Sequence, residues 1–183
     1  MLKINLPICD EVIKNLHAED SVFLSGKIIT ARDAAHKRFY ELIKEGKELP
    51  VDIKGNTIYY VGPAPAKPGK IIGPAGPTSS YRMDKYTPVL LDRGLKAMIG
   101  KGERTREVIE AMKKNNAVYF AAIGGAAALI SKSIVSIKNI CYEDLGTEAV
   151  CEYTIVDFPC IVAIDSYGND IYKMGRNQYR ENV

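Results

Sequence analysis

The chain reads as an α/β protein with strands in excess and short helices. Two observations predict this. Short apolar runs rich in Val, Ile, Tyr and Phe recur along the whole length, as at residues 21–30, 56–62 and 117–123. Between several of them lie segments with apolar residues at helical spacing, and glycine and proline punctuate the joints.

Taken in order, residues 3–7 suit a short edge strand, and the polar segment 10–20 a helical turn or a loop. Residues 21–30 alternate apolar with small or polar side chains, a strand that ends at Thr30, a candidate helix cap. Beyond it Ala34, Ala35, Arg38, Phe39, Leu42 and Ile43 recur at helical spacing, and Gly46 stands where a C-terminal glycine belongs. Arg32, Asp33 and His36 then fall in the first turn. Residues 56–62 form a strand entering a Gly-Pro turn, and 64–69 a rigid loop. A short helix over 86–94 holds Pro88 in its first turn. A buried strand (95–100), a helix (105 to about 114) and a strand (117–123) follow. Gly124 and Gly125 lead into an Ala-rich helix at 126–131. That pair fits neither G-x-G-x-x-G nor the P-loop pattern and is read as close helix-to-sheet packing. The last third is read as strands at 134–140, 149–156, 160–165 and 170–173, with a turn at 167–169 and a loose polar tail after Gly175.

A chain of 183 residues suits one domain, taken as 1–183, with a sizeable core. Its 46% hydrophobic and 26% charged composition is that of a globular protein, and no apolar run is long enough to cross a membrane. The opening Met1-Leu-Lys-Ile-Asn-Leu-Pro is too short in its apolar part for a secretion signal, so the expected location is cytoplasmic. A net charge of +3 argues against a nucleic-acid binder and leaves room for a small anion held by a local positive pocket. Cys9, Cys141, Cys151 and Cys160 contain no C-x-x-C pair, which disfavours a zinc or iron-sulfur site carried by this chain alone; Cys151 and Cys160 read as buried reduced thiols.

The candidate site centres on Gly73-Pro-Ala-Gly-Pro-Thr-Ser-Ser-Tyr-Arg-Met-Asp84, where two Gly and two Pro in five residues mount the hydroxyls of Thr78 and Ser79 and the guanidinium of Arg82. An ordinary surface turn is the plain alternative. Arg32 at a helix start works against the helix dipole, so it is either solvated or placed for an anion that the dipole also favours. His36 is read as a structural hydrogen-bonding residue ahead of an acid or base. In Gly100-Lys101-Gly102 paired glycines clear space around one lysine, which suits an ammonium aimed at an anion or, equally, a solvent-facing turn.

The blocks Gly62-Pro-Ala-Pro-Ala66, Gly73 to Asp84 and Met98-Ile-Gly-Lys-Gly102, with Arg32-Asp-Ala-Ala-His36 and Phe158-Pro through Gly168-Asn-Asp170, together resemble the beta subunit of iron-sulfur-dependent class I fumarases and L-tartrate dehydratases. The resemblance covers nearly the whole chain. It implies a swivelling β/β/α domain and an active site divided between two chains: an alpha subunit holding a 4Fe-4S cluster, and a beta chain like this one, in a heterotetramer of two alpha and two beta. The implied activity is a hydro-lyase interconverting fumarate and (S)-malate. Alternatives are a tartrate dehydratase forming oxaloacetate and a non-catalytic anion-binding or assembly module. Residue by residue, Arg32 and Arg82 resemble ligands of the dicarboxylate substrate. Thr78 resembles the hydroxyl that takes the proton next to the carboxylate, and Lys101 the cation completing the site. Ser79 stands where the family tends to have a second threonine; the hydroxyl is kept and a methyl is lost. No metal ligand falls on this chain. The two-chain reading further implies an exposed, partly apolar face near the 73–84 loop.

Overall fold

The computed structural model describes residues 2–122 and 127–180, which form one sheet that closes on itself. Its strands are β1 (Leu2–Asn5), β2 (Ser21–Thr30), β3 (Thr57–Tyr59), β4 (Ala97–Gly100), β5 (Val118–Ala122), β6 (Ile134–Cys141) and β7 (Val150–Ile164). The helices are α1 (Asp10–Lys14), α2 (Asp33–Lys44), α3 (Thr87–Asp92), α4 (Arg106–Asn115), α5 (Ala127–Ser133) and α6 (Ile171–Arg180), with 3-10 turns at Ser80–Met83 and Glu143–Glu148. Strands β2, β3, β4 and β5 lie side by side in parallel, and β7 runs antiparallel to both β5 and β2, making a small five-stranded barrel. Closure leaves these strands no free edge. β1 lies beside the first half of β2, and β6 beside the first half of β7.

Alternation of side chains sorts the apolar residues into two cores. Tyr59, Ala97, Ile99, Val118 and Phe120 point one way and join Leu24, Ile28, Phe158 and Val162 inside the barrel. Their neighbours Ile58, Tyr60, Met98 and Tyr119 point the other way and pack beneath α2, α3 and α4 through Phe39, Leu90, Leu91, Val108 and Met112. The strand-rich α/β class expected from sequence is therefore observed, with α2, α3 and α4 on the outside.

Three local expectations are corrected. Residues 149–156 and 160–165 are parts of one 15-residue strand, β7. Asp157 and Pro159 are poor strand residues, but Asp157 is accommodated at φ 48° opposite a register shift in β2, its N–H donating to Ser25 Oγ at 3.0 Å. Such an irregularity bends a strand without ending it. Residues 170–173 are not a strand: Asp170 Oδ1 accepts the N–H of Tyr172 at 3.0 Å and starts α6, which runs through the segment expected to be loose. Thr30 is the last residue of β2 and not a cap; its hydroxyl accepts the Cys151 N–H at 3.0 Å, and Arg32 occupies the cap position of α2. Gly124 and Gly125 lie outside the described residues.

A buried ion pair ties the 80–83 turn to the loop after β4. Arg104, with its side chain fully buried, donates from Nε to Asp84 Oδ1 at 2.6 Å, while Asp84 Oδ2 accepts the Thr105 N–H at 2.6 Å. The guanidinium also donates to Thr87 Oγ1 at 3.0 Å and lies over the Tyr60 and Tyr119 rings. Because removing one partner strands a buried charge, Asp84→Asn is expected to cost about 3–5 kcal/mol. Urea unfolding of the full chain checks it; a loss below about 1 kcal/mol would mean that Arg104 is satisfied by the aromatic and hydroxyl groups alone.

Candidate functional site

Parallel pairing brings the carboxyl ends of four strands to one rim. Thr30 of β2 lies beside Tyr59 of β3, Tyr59 beside Ile99 of β4, and Gly100 beside Ala121 of β5. Arg32 follows β2, Tyr60 to Gly62 follow β3, and Lys101 follows β4. In open parallel sheets this end is where ligand crevices form.

The 73–80 segment is sewn across the rim. The buried Tyr59 hydroxyl donates to the Ala75 carbonyl at 2.5 Å, Thr78 N–H donates to the Tyr60 carbonyl at 2.7 Å, and Ser80 N–H donates to the Lys101 carbonyl at 2.9 Å. Bridges pair Val61 with Pro77 and Ser79 with Lys101. The fully buried Ser80 completes the seam. Its oxygen accepts the Lys101 N–H at 3.1 Å, and its hydroxyl meets that of Tyr119 at 2.8 Å, which in turn donates to the Gly102 carbonyl at 3.0 Å. Burial pushes the Tyr119 phenol upward and keeps it protonated, as this donor role requires. Glycine is needed at 100, where a Cβ would stand 2.0 Å from Ser80 Oγ.

The five residues singled out in the sequence fall into two linked groups. Arg32 and Arg82 meet through Asp33. Arg82 donates from Nε to Asp33 Oδ1 at 2.9 Å and brings Nη2 within 2.7 Å of Oδ2, a close ionic approach without hydrogen-bond alignment. Arg32 Nε lies 3.8 Å from the same Oδ2, while Arg32 Nη2 donates to Glu148 Oε1 at 2.8 Å. The order of charges is thus Arg82, Asp33, Arg32, Glu148. Gly62 makes room for it, since a Cβ there would stand 2.3 Å from Arg32 Nη1.

Thr78, Ser79 and Lys101 form the second group, joined through the backbone. Thr78 is 9% exposed, and among the described residues its hydroxyl takes no hydrogen-bond partner. Lys101 is exposed, and among the described residues its ammonium makes no ion pair. Sequence reading missed Glu148 and the roles of Asp33 and Ser80. Glu148 stands 116 residues from Arg32, and no local motif marks it.

His36 is held as a core residue. It is fully buried against Phe39, Tyr60 and Tyr86, and its Nδ1 lies 2.9 Å from the Arg32 carbonyl, which can only accept, so Nδ1 carries the proton. Burial lowers its pKa from 6.5 to about 4, with the Arg32 carbonyl working in the opposite direction.

The four cysteines do not make a cluster site. Cys9 is exposed, Cys141 half-buried, and Cys151 and Cys160 buried. Among the described residues no three His, Cys, Asp or Glu side chains gather as metal ligands. The described residues thus offer no ligand set for a 4Fe-4S cluster. No described helix is long and apolar enough to cross a membrane.

Comparison with known proteins gives a consistent set of relatives. The sequence pattern of a family described as Fumarase C-terminus matches residues 1–175. The chain is 41% identical to the anaerobic class I fumarate hydratase of Escherichia coli strain K12 over 152 residues, 82% of this chain and 28% of that one. It is 34% identical to the mitochondrial fumarate hydratase 1 of Leishmania major over 178 residues, 94% of this chain and 32% of that one. A protein of Methanocaldococcus jannaschii provisionally named L(+)-tartrate dehydratase subunit beta is 38% identical over 167 residues, 88% of this chain and 86% of that one. The chain thus spans under a third of these two fumarate hydratases and most of the archaeal protein.

Two measurements check this geometry. Gly62→Ala should leave stability within about 1 kcal/mol, because only the end of a flexible side chain must move. A crystal structure of the variant should show the Arg32 guanidinium displaced from Glu148; an unmoved guanidinium would contradict the close approach. The second concerns His36. With its folded pKa below the unfolded value, the native state binds fewer protons, so stability is full above about pH 6.5 and falls with pH through about pH 4. Urea titrations should show a loss of about 3 kcal/mol over that window, absent in His36→Phe.

Proposed function

This chain belongs to the Fumarase C-terminus family, and on that premise we propose that it is the beta part of a hydro-lyase interconverting fumarate and (S)-malate, acting with an alpha subunit that bears a 4Fe-4S cluster. The observation that carries the reading is the rim itself: two arginines and, without an ion-pair or hydrogen-bond partner among the described residues, the Lys101 ammonium and the nearly buried Thr78 hydroxyl lie on the loops at the carboxyl ends of parallel strands. That set matches the needs of a dicarboxylate losing a proton beside a carboxylate.

Removing that proton places negative charge on the adjacent carboxylate, and fixed cations lower the cost of the charge. Arg32 and Arg82 register a carboxylate by paired donors, and Lys101 adds a movable point charge. Thr78 is the group proposed to take the proton. A threonine hydroxyl is a weak base, so the assignment depends on Lys101 stabilising the alkoxide; the backbone bridge from Ser79 to Lys101 keeps the two near each other. Ser79 supplies a second hydroxyl beside it. The cluster would supply the Lewis acid for the substrate hydroxyl from the partner.

Exposed apolar side chains flank the loop, with Ile71 56% and Tyr81 68% exposed, which supports docking of a partner there. We propose an assembly of two alpha and two beta chains, residues 1–183 as a single beta-type domain, and for its barrel and outer helices the swivelling β/β/α arrangement. Tartrate to oxaloacetate is the second reading, favoured by the near-complete overlap with the archaeal subunit.

The test is to combine the full chain anaerobically with a cluster-bearing alpha subunit and assay fumarate, (S)-malate and L-tartrate. Activity on fumarate, absent from either chain alone, is the expected result; activity on tartrate alone selects the second reading, and none with any alpha chain favours an anion-binding module. In the active assembly Thr78→Ala should lower kcat by about 100-fold or more with KM little changed. Near-normal turnover would remove Thr78 from the base role.

A further inference from the structure

Glu148 does to Arg32 what a ligand carboxylate would do. Its Oε1 accepts a hydrogen bond from Arg32 Nη2 at 2.8 Å and its Oε2 one from the Ala34 N–H at 3.2 Å, in the first turn of α2. Both side chains are 23% exposed, so the pair sits at the edge of solvent.

The grip is incomplete. Glu148 holds the guanidinium at Nη2 only, and the neighbouring Nε is buried without a hydrogen-bond partner among the described residues. Asp33 does not supply one: its Oδ2 stands 3.8 Å from Nε and lies 2.7 Å from Arg82 Nη2. A carboxylate arriving in the fork geometry, across Nε and Nη2 together, would satisfy the orphaned donor and take the position of Oε1.

Glu148 ends the Glu143–Glu148 turn. A cleft of about 320 Å³ is lined by its chain neighbours Thr147 and Ala149 and by Pro63, which follows the glycine that admits Arg32. The turn has its own anchor on α2, where Arg38 binds both oxygens of Asp144. The Glu148 side chain can therefore leave without the turn detaching.

We propose that Glu148 is a displaceable seat-holder: it occupies the anion position of Arg32 in the resting chain, and a substrate carboxylate binds by taking that position from it. This rests on the dicarboxylate reading for the identity of the ligand, and on the geometry alone for the displacement. Glu148 is then a specificity residue. It keeps weakly bound anions off Arg32 and yields to those that can fork the guanidinium while a second group engages the rim.

The test uses the full chain and two probes, (S)-malate and inorganic phosphate, with binding followed by calorimetry and by the NMR signals of the Ala34 amide and Arg32 Nε–H. Glu148→Gln, isosteric and uncharged, is expected to bind (S)-malate about tenfold more tightly than the unmodified chain, with both signals moving. Glu148→Ala serves as a second variant that cannot retain the Oε1 contact. A gain is the informative direction, because a merely structural role for Glu148 predicts a loss. No gain for either anion in either variant overturns the proposal. If the unmodified chain binds malate, loses it in Arg32→Ala and shows no gain in Glu148→Gln, only the seat-holder fails and the dicarboxylate reading stands. A gain for phosphate without one for malate keeps the seat-holder and removes the dicarboxylate reading.

Discussion

Closure of the sheet by β7 is the constraint on which the rest of the molecule depends. One edge of β7 follows β2 along its length, and the other passes from β6 to β5. That double pairing turns four parallel strands into a barrel and holds their carboxyl ends level. Without it, Arg32, the Gly62 turn and Lys101 would hang from strands free to twist apart; with it, they share one rim. The interior supports the same arrangement, since Tyr59 packs edge-on against Phe158 of β7 at 5.3 Å and reaches out to hold Ala75. A core aromatic thus links barrel closure to the loop that bears Thr78.

Two sets of contacts then divide the work at the rim. Backbone hydrogen bonds and the Ser80–Tyr119 seam set where the loop lies, and the Arg104–Asp84 pair fixes the turn that follows. Side-chain ion pairs set how the arginines point. The first set is buried and tolerates little change. The second lies partly in solvent, where ion pairs are weak enough to be exchanged for a ligand. Rigid backbone beneath exchangeable charge suits a site that must hold its shape while it changes partners.

Much of this was legible in the sequence, and what was not has a common cause. β2, α2 and α4 announce themselves because their apolar spacing is local, and the family motifs name Arg32, Thr78, Ser79, Arg82 and Lys101 because each sits in a short distinctive string. β7 runs through Asp157 and Pro159, poor strand residues whose local preference only pairing along both edges overrides. The α6 start was hidden because Asp170 as a cap resembles Asp170 in a turn until its partner Tyr172 N–H is located. Glu148 and the antiparallel register of β2 on β7 depend on residues more than a hundred positions apart, a separation no local pattern records.

That separation also bears on how the molecule is made. β2 and β7 are the most distant strands of the barrel in chain order, so their ladder cannot form until nearly every other barrel element has left the ribosome. Non-local pairing of this kind slows folding and leaves strand edges open in the meantime. For that interval the unpaired flank of β2 is a template for any extended peptide nearby. The strand that defines the finished site thus also sets the length of its most vulnerable stage.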